Sequence, residues 1–139
     1  MAAAPQPIAP RINHITRQII ASAMRVHTAL GPGLLESVYH ACVLHELRKC
    51  GLKVDSQVGL PVVYQGERIE LGYRIDLIVG DAVIVEIKCV DAINPVHRAQ
   101  LLSYMRLSGR SVGLLINFHV VHLRDGLMRM VDGYDWQKS

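Results

Sequence analysis

The chain has 139 residues, half of them hydrophobic, with 15 Lys and Arg against 12 Asp and Glu for a net charge of +3. This length fits one domain that buries a core without staples, and the composition excludes a disordered tail and a coiled coil. A sequence pI near 8.9 is compatible with a polyanionic partner but does not identify one, and a single Phe and a single Trp argue against stacked aromatic platforms for bases.

Residues 1–11 read as a Pro-rich flexible leader, without the charged and apolar regions of a signal peptide. From there Ile12, Ile15, Ile19, Ala23, Val26 and Leu30 recur at spacings of three and four. This predicts an amphipathic helix over 12–30, closed by Gly31-Pro32-Gly33. A second helix is predicted over 34–50, with Leu35, Val38, Cys42 and Leu47 toward one side and Gly51 as its stop. The pattern then turns strand-like. Residues 53–64 form one strand, in which Pro61 marks an edge or an irregularity. Gln65-Gly66-Glu67 turns, 68–79 form a second strand, Gly80-Asp81 turns again, and 82–88 form a third. A helix from Pro95 to Ser108, closed by Gly109, follows. Next comes an apolar strand at 111–118, of the kind covered on both faces. Residues 121–131, around Arg124-Asp125-Gly126, predict a hairpin, and 133–139 a loose tail.

The sum is one α/β domain over 12–132, of order ααβββαβ plus a C-terminal hairpin, with a mixed sheet flanked by helices. The first three strands are expected as an antiparallel meander. The helix after the third is long enough for a right-handed crossover, which makes the third and fourth strands parallel neighbours. No apolar run approaches the roughly 18 residues that span a bilayer. Cys42, Cys50 and Cys89, odd in number and without a C-x-x-C pair, are expected as buried free thiols. A soluble cytoplasmic protein, without a membrane partner, is the expectation.

The chemistry gathers in the hairpin of 73–79 and 83–88, where side chains alternate faces. Arg74, Asp76 and Ile78 share one side of the second strand; Ile84, Glu86 and Lys88 share one side of the third. With a three-residue loop at Gly80-Asp81-Ala82, Val79 pairs with Val83 and Asp76 lies opposite Glu86. Both carboxylates and Lys88 then point the same way, whereas a two-residue loop would turn Glu86 to the other face.

Two adjacent carboxylates repel unless a cation lies between them, and hard divalent ions take such oxygen ligands. Asp76, Glu86 and the backbone carbonyl of Ile87 form one such set, with Mg²⁺ or Mn²⁺ as the ion. Lys88, one pleat on, is placed to orient a metal-bound water and to stabilise charge growing on phosphorus. Gln100 and Tyr104 share a face of the crossover helix, with His97 one turn before. On the second helix Glu36 shares a face with Tyr39 and offers a further acid for the metal. Arg74 is either a phosphate contact or a partner for Asp76 or Glu86. His14, His27, His40, His45, His119 and His122 show no zinc-enzyme spacing.

Read together, Gly33-Leu-Leu-Glu36-Ser-Val-Tyr39 resembles the motif that names the GxxExxY proteins, a family of the PD-(D/E)XK nuclease superfamily. The resemblance continues through Gly72-Tyr-Arg-Ile-Asp76, Glu86-Ile-Lys88, Pro95-Val-His97, Gln100-Leu-Leu-Ser-Tyr104 and Gly113-Leu-Leu-Ile-Asn-Phe118, over residues 12–131. It implies a restriction-endonuclease-like βββαβ core and a metal-dependent nuclease that hydrolyses nucleic-acid phosphodiesters, DNA foremost, through a Mg²⁺-activated water. It assigns metal binding and water activation to Asp76, Glu86 and Lys88, and a supporting acid to Glu36. The Q-x-x-x-Y that resembles RecB-type exonucleases falls on Gln100 and Tyr104. The rival expectation is a catalytically silent nuclease-fold module for nucleic-acid binding or complex assembly. For a domain this small, a homodimer or larger complex is expected to help grip a duplex.

Overall fold

A computed structural model describes residues 9–132, and the side chains of all of these except 71–73. Most of the expected leader and the whole expected tail lie outside the described residues. Pro10 and Arg11, read as leader, already belong to the first helix, α1 (Pro10–Leu30), because proline suits the first helical position, where no N–H is needed. α1 buries Ile15, Ile19, Ala23 and Val26 as their spacing predicts, while Leu30 stays exposed.

The second helix, α2 (Glu36–Lys49), buries Tyr39, Val43 and Leu47. The expected Leu35–Val38–Cys42 side is not the buried one: Leu35 is 73% exposed. Tyr39 sets the roll. Its ring stacks on Phe118 with centroids 4.5 Å apart, an arrangement contributing about 0.5–1.5 kcal/mol beyond simple burial. Its hydroxyl donates to the Gly31 carbonyl at 2.5 Å and accepts from the Leu34 N–H at 3.1 Å. One side chain therefore anchors the helix and closes the turn that precedes Glu36. The cysteines are free, but Cys50 is exposed and Cys42 and Cys89 are only half-buried, so the expectation of buried thiols fails. Cys50 is the C-cap of α2, where the chain meets solvent.

Five strands follow the chain order in one sheet. β1 (Val54–Tyr64) and β2 (Glu67–Val79) are antiparallel, joined by a two-residue turn in which Gln65 and Gly66 both have positive φ, the hairpin geometry that suits strand twist. At Pro61 the register breaks: between Leu60↔Tyr73 and Val62↔Ile69, one residue of β1 faces three of β2. Proline has no N–H for the ladder, and β1 is an edge strand, as its presence there requires. β3 (Val83–Lys88) is antiparallel to β2; α3 (Pro95–Ser108) crosses over; and β4 (Val112–Asn117) lies parallel to β3. The meander and the crossover stand as expected.

The C-terminal segment differs in detail. Residues 121–131 do not pair with themselves. Leu123–Gly126 is a 3-10 turn, and β5 (Leu127–Val131) returns antiparallel to β4. Leu123 is buried, and Gly126 lies so close to the Asn117 carbonyl that a Cβ would come within 2.1 Å of it. These residues are consumed in turning and packing, so the hairpin is formed by β4 and β5.

The sheet has a core on each face. α1 and α2 cover one side with Leu77, Val79, Val85, Ile87 and Leu114; α3 covers the other with Ile78, Ile84 and Leu115. β3 and β4 alternate regularly between the two. β2 does not: Ile75 packs with Ile78 on the α3 side, although its parity matches Leu77. β1 makes the same change, with Val54 in the α1/α2 core and Val58 and Leu60 against the α3 core. The switch falls at Gln57 and Asp76. They are the one pair missing from an otherwise unbroken ladder running from Val54↔Val79 to Leu60↔Tyr73. Gln57 has φ 55°, a left-handed backbone in the middle of a strand.

Gly126→Ala tests the close approach to β4. It should destabilise the protein by about 1–3 kcal/mol in urea unfolding, since overpacking must shift backbone. Gly59→Ala, whose Cβ would meet nothing within 4 Å, should stay within about 0.5 kcal/mol of the unmodified protein.

Candidate active site where the second and third strands part

β2 and β3 pair at Val79↔Val83, Ile78↔Ile84 and Leu77↔Val85, around the three-residue loop Gly80–Ala82. Gly80 and Asp81 take positive φ to make that loop. The next rung would join Asp76 and Glu86, and there the backbone ladder stops. Two carboxylates take its place. The Asp76 N–H donates to Glu86 Oε1 at 3.1 Å, and the Ile87 N–H donates to Asp76 Oδ2 at 2.8 Å. Each strand offers a backbone donor to the acid of the other, which holds the two acids together and wedges the strands apart.

Glu86 is only 3% exposed, deep in β3 with Leu115 of β4 beside it in register. Burial and the neighbouring Asp76 charge push its carboxyl up to about 8. Hydrogen bonding between the two carboxyl groups adds to this, while the Asp76 backbone hydrogen bond and the Lys88 charge pull the other way without offsetting it. A proton on Glu86 does for the pair what a cation would do: it removes the repulsion between two carboxylates sharing a site.

Lys88 ends β3 on the α3 side, and its Nζ donates to Gln100 Oε1 at 2.8 Å. Gln100 is delivered by the start of α3, which is fixed by a capping box. Asn94 Oδ1 accepts from the His97 N–H at 3.0 Å, and His97 Nδ1 accepts from the Asn94 N–H at 3.1 Å. His97 thus sits near the site by holding the helix that carries Gln100. Tyr104 is buried in the α3 core with Ile75 and Leu101. Arg74 is exposed and makes no ion pair among the described residues.

Glu36 occupies the first turn of α2, directly after the turn that Tyr39 closes. With Ser37, His40, Gln57 and Asp76 it lines a cavity of about 170 Å³. Its charge also reaches the end of β3, where burial first and Glu36 second push the Cys89 thiol up. Asp76 therefore opens toward α2, while Lys88 reaches toward α3. The single common face expected from strict alternation is broken by the switch at Asp76, and the site straddles the sheet at its opening. Among the described residues no three His, Cys, Asp or Glu side chains gather tightly enough to hold an ion by themselves. The close acids are the pair Asp76 and Glu86, with the Ile87 carbonyl next in chain and Glu36 on the Asp76 cavity. Two larger surface cavities, of about 580 and 570 Å³, bring no two acids together.

Sequence reasoning missed His40, Ser37, Gln57 and Asn117. His40 was within reach, since it follows Glu36 by four residues and shares its helix face; its Nε2 lies 2.8 Å from Ser56 Oγ. Asn117 is buried and clamps the segment leaving β3: its Nδ2 donates to the Val90 carbonyl at 2.8 Å, and its Oδ1 accepts from the Val90 N–H at 3.1 Å. No local pattern announces Gln57, which meets Asp76 only because of the register break at Pro61.

No curated protein matches the chain. The crystal structure of SSO0001 superposes with a TM-score of 0.55 at 17% identity, over 92% of this chain and 63% of that one. The chain therefore spans under two thirds of that protein, and the likeness is one of fold. The family model described as the PD-(D/E)XK nuclease superfamily matches residues 13–130. A match over that much of the sequence, on a mixed sheet whose second and third strands part around an Asp–Glu pair, means that the chain belongs to the PD-(D/E)XK nuclease superfamily.

Proposed function

We propose that the chain is a divalent-metal-dependent nuclease that hydrolyses phosphodiester bonds of nucleic acid, DNA foremost, and that its Gly33–Tyr39 motif places it with the GxxExxY proteins. The observation that carries this reading is the reciprocal bonding of Asp76 and Glu86, which holds two acids in contact at the cost of a proton on one of them. Such a pair suits a hard cation: both donors are carboxylate oxygens, and a positive charge offsets both the burial of Glu86 and its repulsion by Asp76. Asp76, Glu86 and the Ile87 carbonyl would hold Mg²⁺ or Mn²⁺, with Glu36 as a supporting acid. When bound, the ion supplies Lewis acidity toward water and phosphate oxygens.

The chain's own groups have separable roles. Gln100 fixes the Lys88 ammonium beside the acids, where it stabilises negative charge growing on phosphorus. His97 and Asn94 hold the helix that presents Gln100. Tyr39 closes the turn that presents Glu36. Arg74, exposed beside the opening, meets the phosphate backbone.

One observation favours a second reading, a catalytically silent module for nucleic-acid binding or assembly. With Glu86 protonated near neutral pH, an ion must displace that proton to bind. The two readings part on metal affinity. For the nuclease, calorimetric titration with Mn²⁺ should show binding that strengthens from pH 6.5 to about 8, with release of about one proton, and then levels off. No heat of binding at any of these pH values, with the fold intact, supports the silent module.

Cleavage of labelled DNA and RNA in Mg²⁺ or Mn²⁺ should fall on the order of 10²–10³-fold in Asp76→Ala and in Lys88→Ala. Equal cleavage by the unmodified protein and Asp76→Ala would overturn the nuclease reading. The raised Glu86 pKa also has a sign for stability. The folded state holds its proton between the usual carboxylate range and about 8, where the unfolded chain does not. Metal-free protein should therefore lose stability as pH rises from about 5 to 8. Glu86→Gln should remove most of that slope in urea unfolding followed by circular dichroism.

A further inference from the structure

We propose that Gln57 is a substrate-binding residue, whose carboxamide hydrogen-bonds the sugar or base edge of the nucleotide next to the scissile phosphate. This rests on the nuclease reading above and names a contact within that site.

Gln57 stands where β1 and β2 exchange faces, opposite Asp76. Its φ of 55° lies in the left-handed region that side chains other than Gly, Asn and Asp rarely adopt. A strand that needed only the kink would be served better by glycine, which adopts this backbone without strain. The neighbouring residue is tied down from the other layer, since His40 of α2 lies 2.8 Å from Ser56 Oγ. The strain is therefore braced, and the Gln57 side chain makes no hydrogen bond among the described residues. It lines the 170 Å³ cavity with Glu36, Ser37, His40 and Asp76.

The lining selects the chemistry. The cavity has the volume of roughly six waters, and it sits against one member of the acid pair. The two carboxylates that face it, Glu36 and Asp76, serve the cation, and the Gln57 amide adds no charge for a phosphate. A neutral amide, which both donates and accepts, matches instead the hydroxyl of a sugar or the polar edge of a base. Strained backbone that presents an unoccupied polar side chain beside reactive groups is the pattern expected where strain serves binding.

The test uses Gln57→Gly, which keeps the kink and removes the amide, and Gln57→Asn, which keeps an amide in a residue that tolerates this backbone. Urea unfolding and cleavage of DNA and RNA oligonucleotides of one sequence are measured for each. Gln57→Gly should unfold at the same or a higher urea concentration, yet show KM raised roughly three- to tenfold with kcat changed less, the size of one lost neutral hydrogen bond. Gln57→Asn should lie between it and the unmodified protein. A loss on RNA alone assigns the contact to the 2′-hydroxyl; an equal loss on both assigns it to the base edge or the shared sugar. A Gln57→Gly protein with KM within twofold of the unmodified one on both substrates overturns the role of Gln57, while cleavage that still depends on Asp76 leaves the nuclease reading standing. If the unmodified protein cleaves neither substrate better than Asp76→Ala, both readings fall together.

Discussion

Two side chains that take over backbone hydrogen bonds govern this structure. Where β2 and β3 would continue their ladder, Glu86 accepts the Asp76 N–H and Asp76 accepts the Ile87 N–H. Buried backbone donors must be satisfied, so the strands can part only because each acid supplies the acceptor that the other strand withdraws. The same contact sets the electrostatics. Glu86 is buried against a like charge, and its carboxyl rises to about 8. Separation of the strands, proximity of the acids and the tendency to hold a positive charge between them are consequences of one exchange.

Around that opening the fold draws on both of its layers. α2 brings Glu36 after a turn locked by Tyr39, whose hydroxyl binds both sides of it. α3 brings Gln100 to Lys88 from a helix start locked by Asn94 and His97. Asn117, at the end of β4, secures the chain as it leaves β3. Four of the residues that surround the site, Tyr39, Asn94, His97 and Asn117, therefore act by holding turns and ends in place. A site at a strand opening has little rigid ladder of its own, so it depends on such supports.

The exchange of faces at Gln57 and Asp76 gives the β1–β2 hairpin two roles. On one side of the switch its apolar residues complete the core under α1 and α2; on the other, Val58, Leu60 and Ile75 pack toward α3. Asp76 sits on the pivot. It can face the α2 cavity while its backbone stays bound to Glu86, which a regularly alternating strand would not allow.

Most of the element order was legible in the residues themselves, because helix periodicity, the Gly80–Ala82 loop and the crossover length are local properties. The opposition of Asp76 and Glu86 followed from that loop, and Lys88 and Gln100 followed from pleat and helix spacing. The buried side of α2 was not legible. It is chosen by the contact of Tyr39 with Phe118, a partner 79 positions away by their numbering. The place of Gln57 was hidden for a related reason: counting back from the Gln65–Gly66 turn sets it against Arg74, and only the register break at Pro61 sets it against Asp76. The sequence by itself determined which residues carry charge and on which element each one rides, since these depend on neighbours along the chain. Tertiary structure alone decided which way Asp76 opens and what shares its cavity, because packing two cores on one sheet forced the strands to exchange faces there.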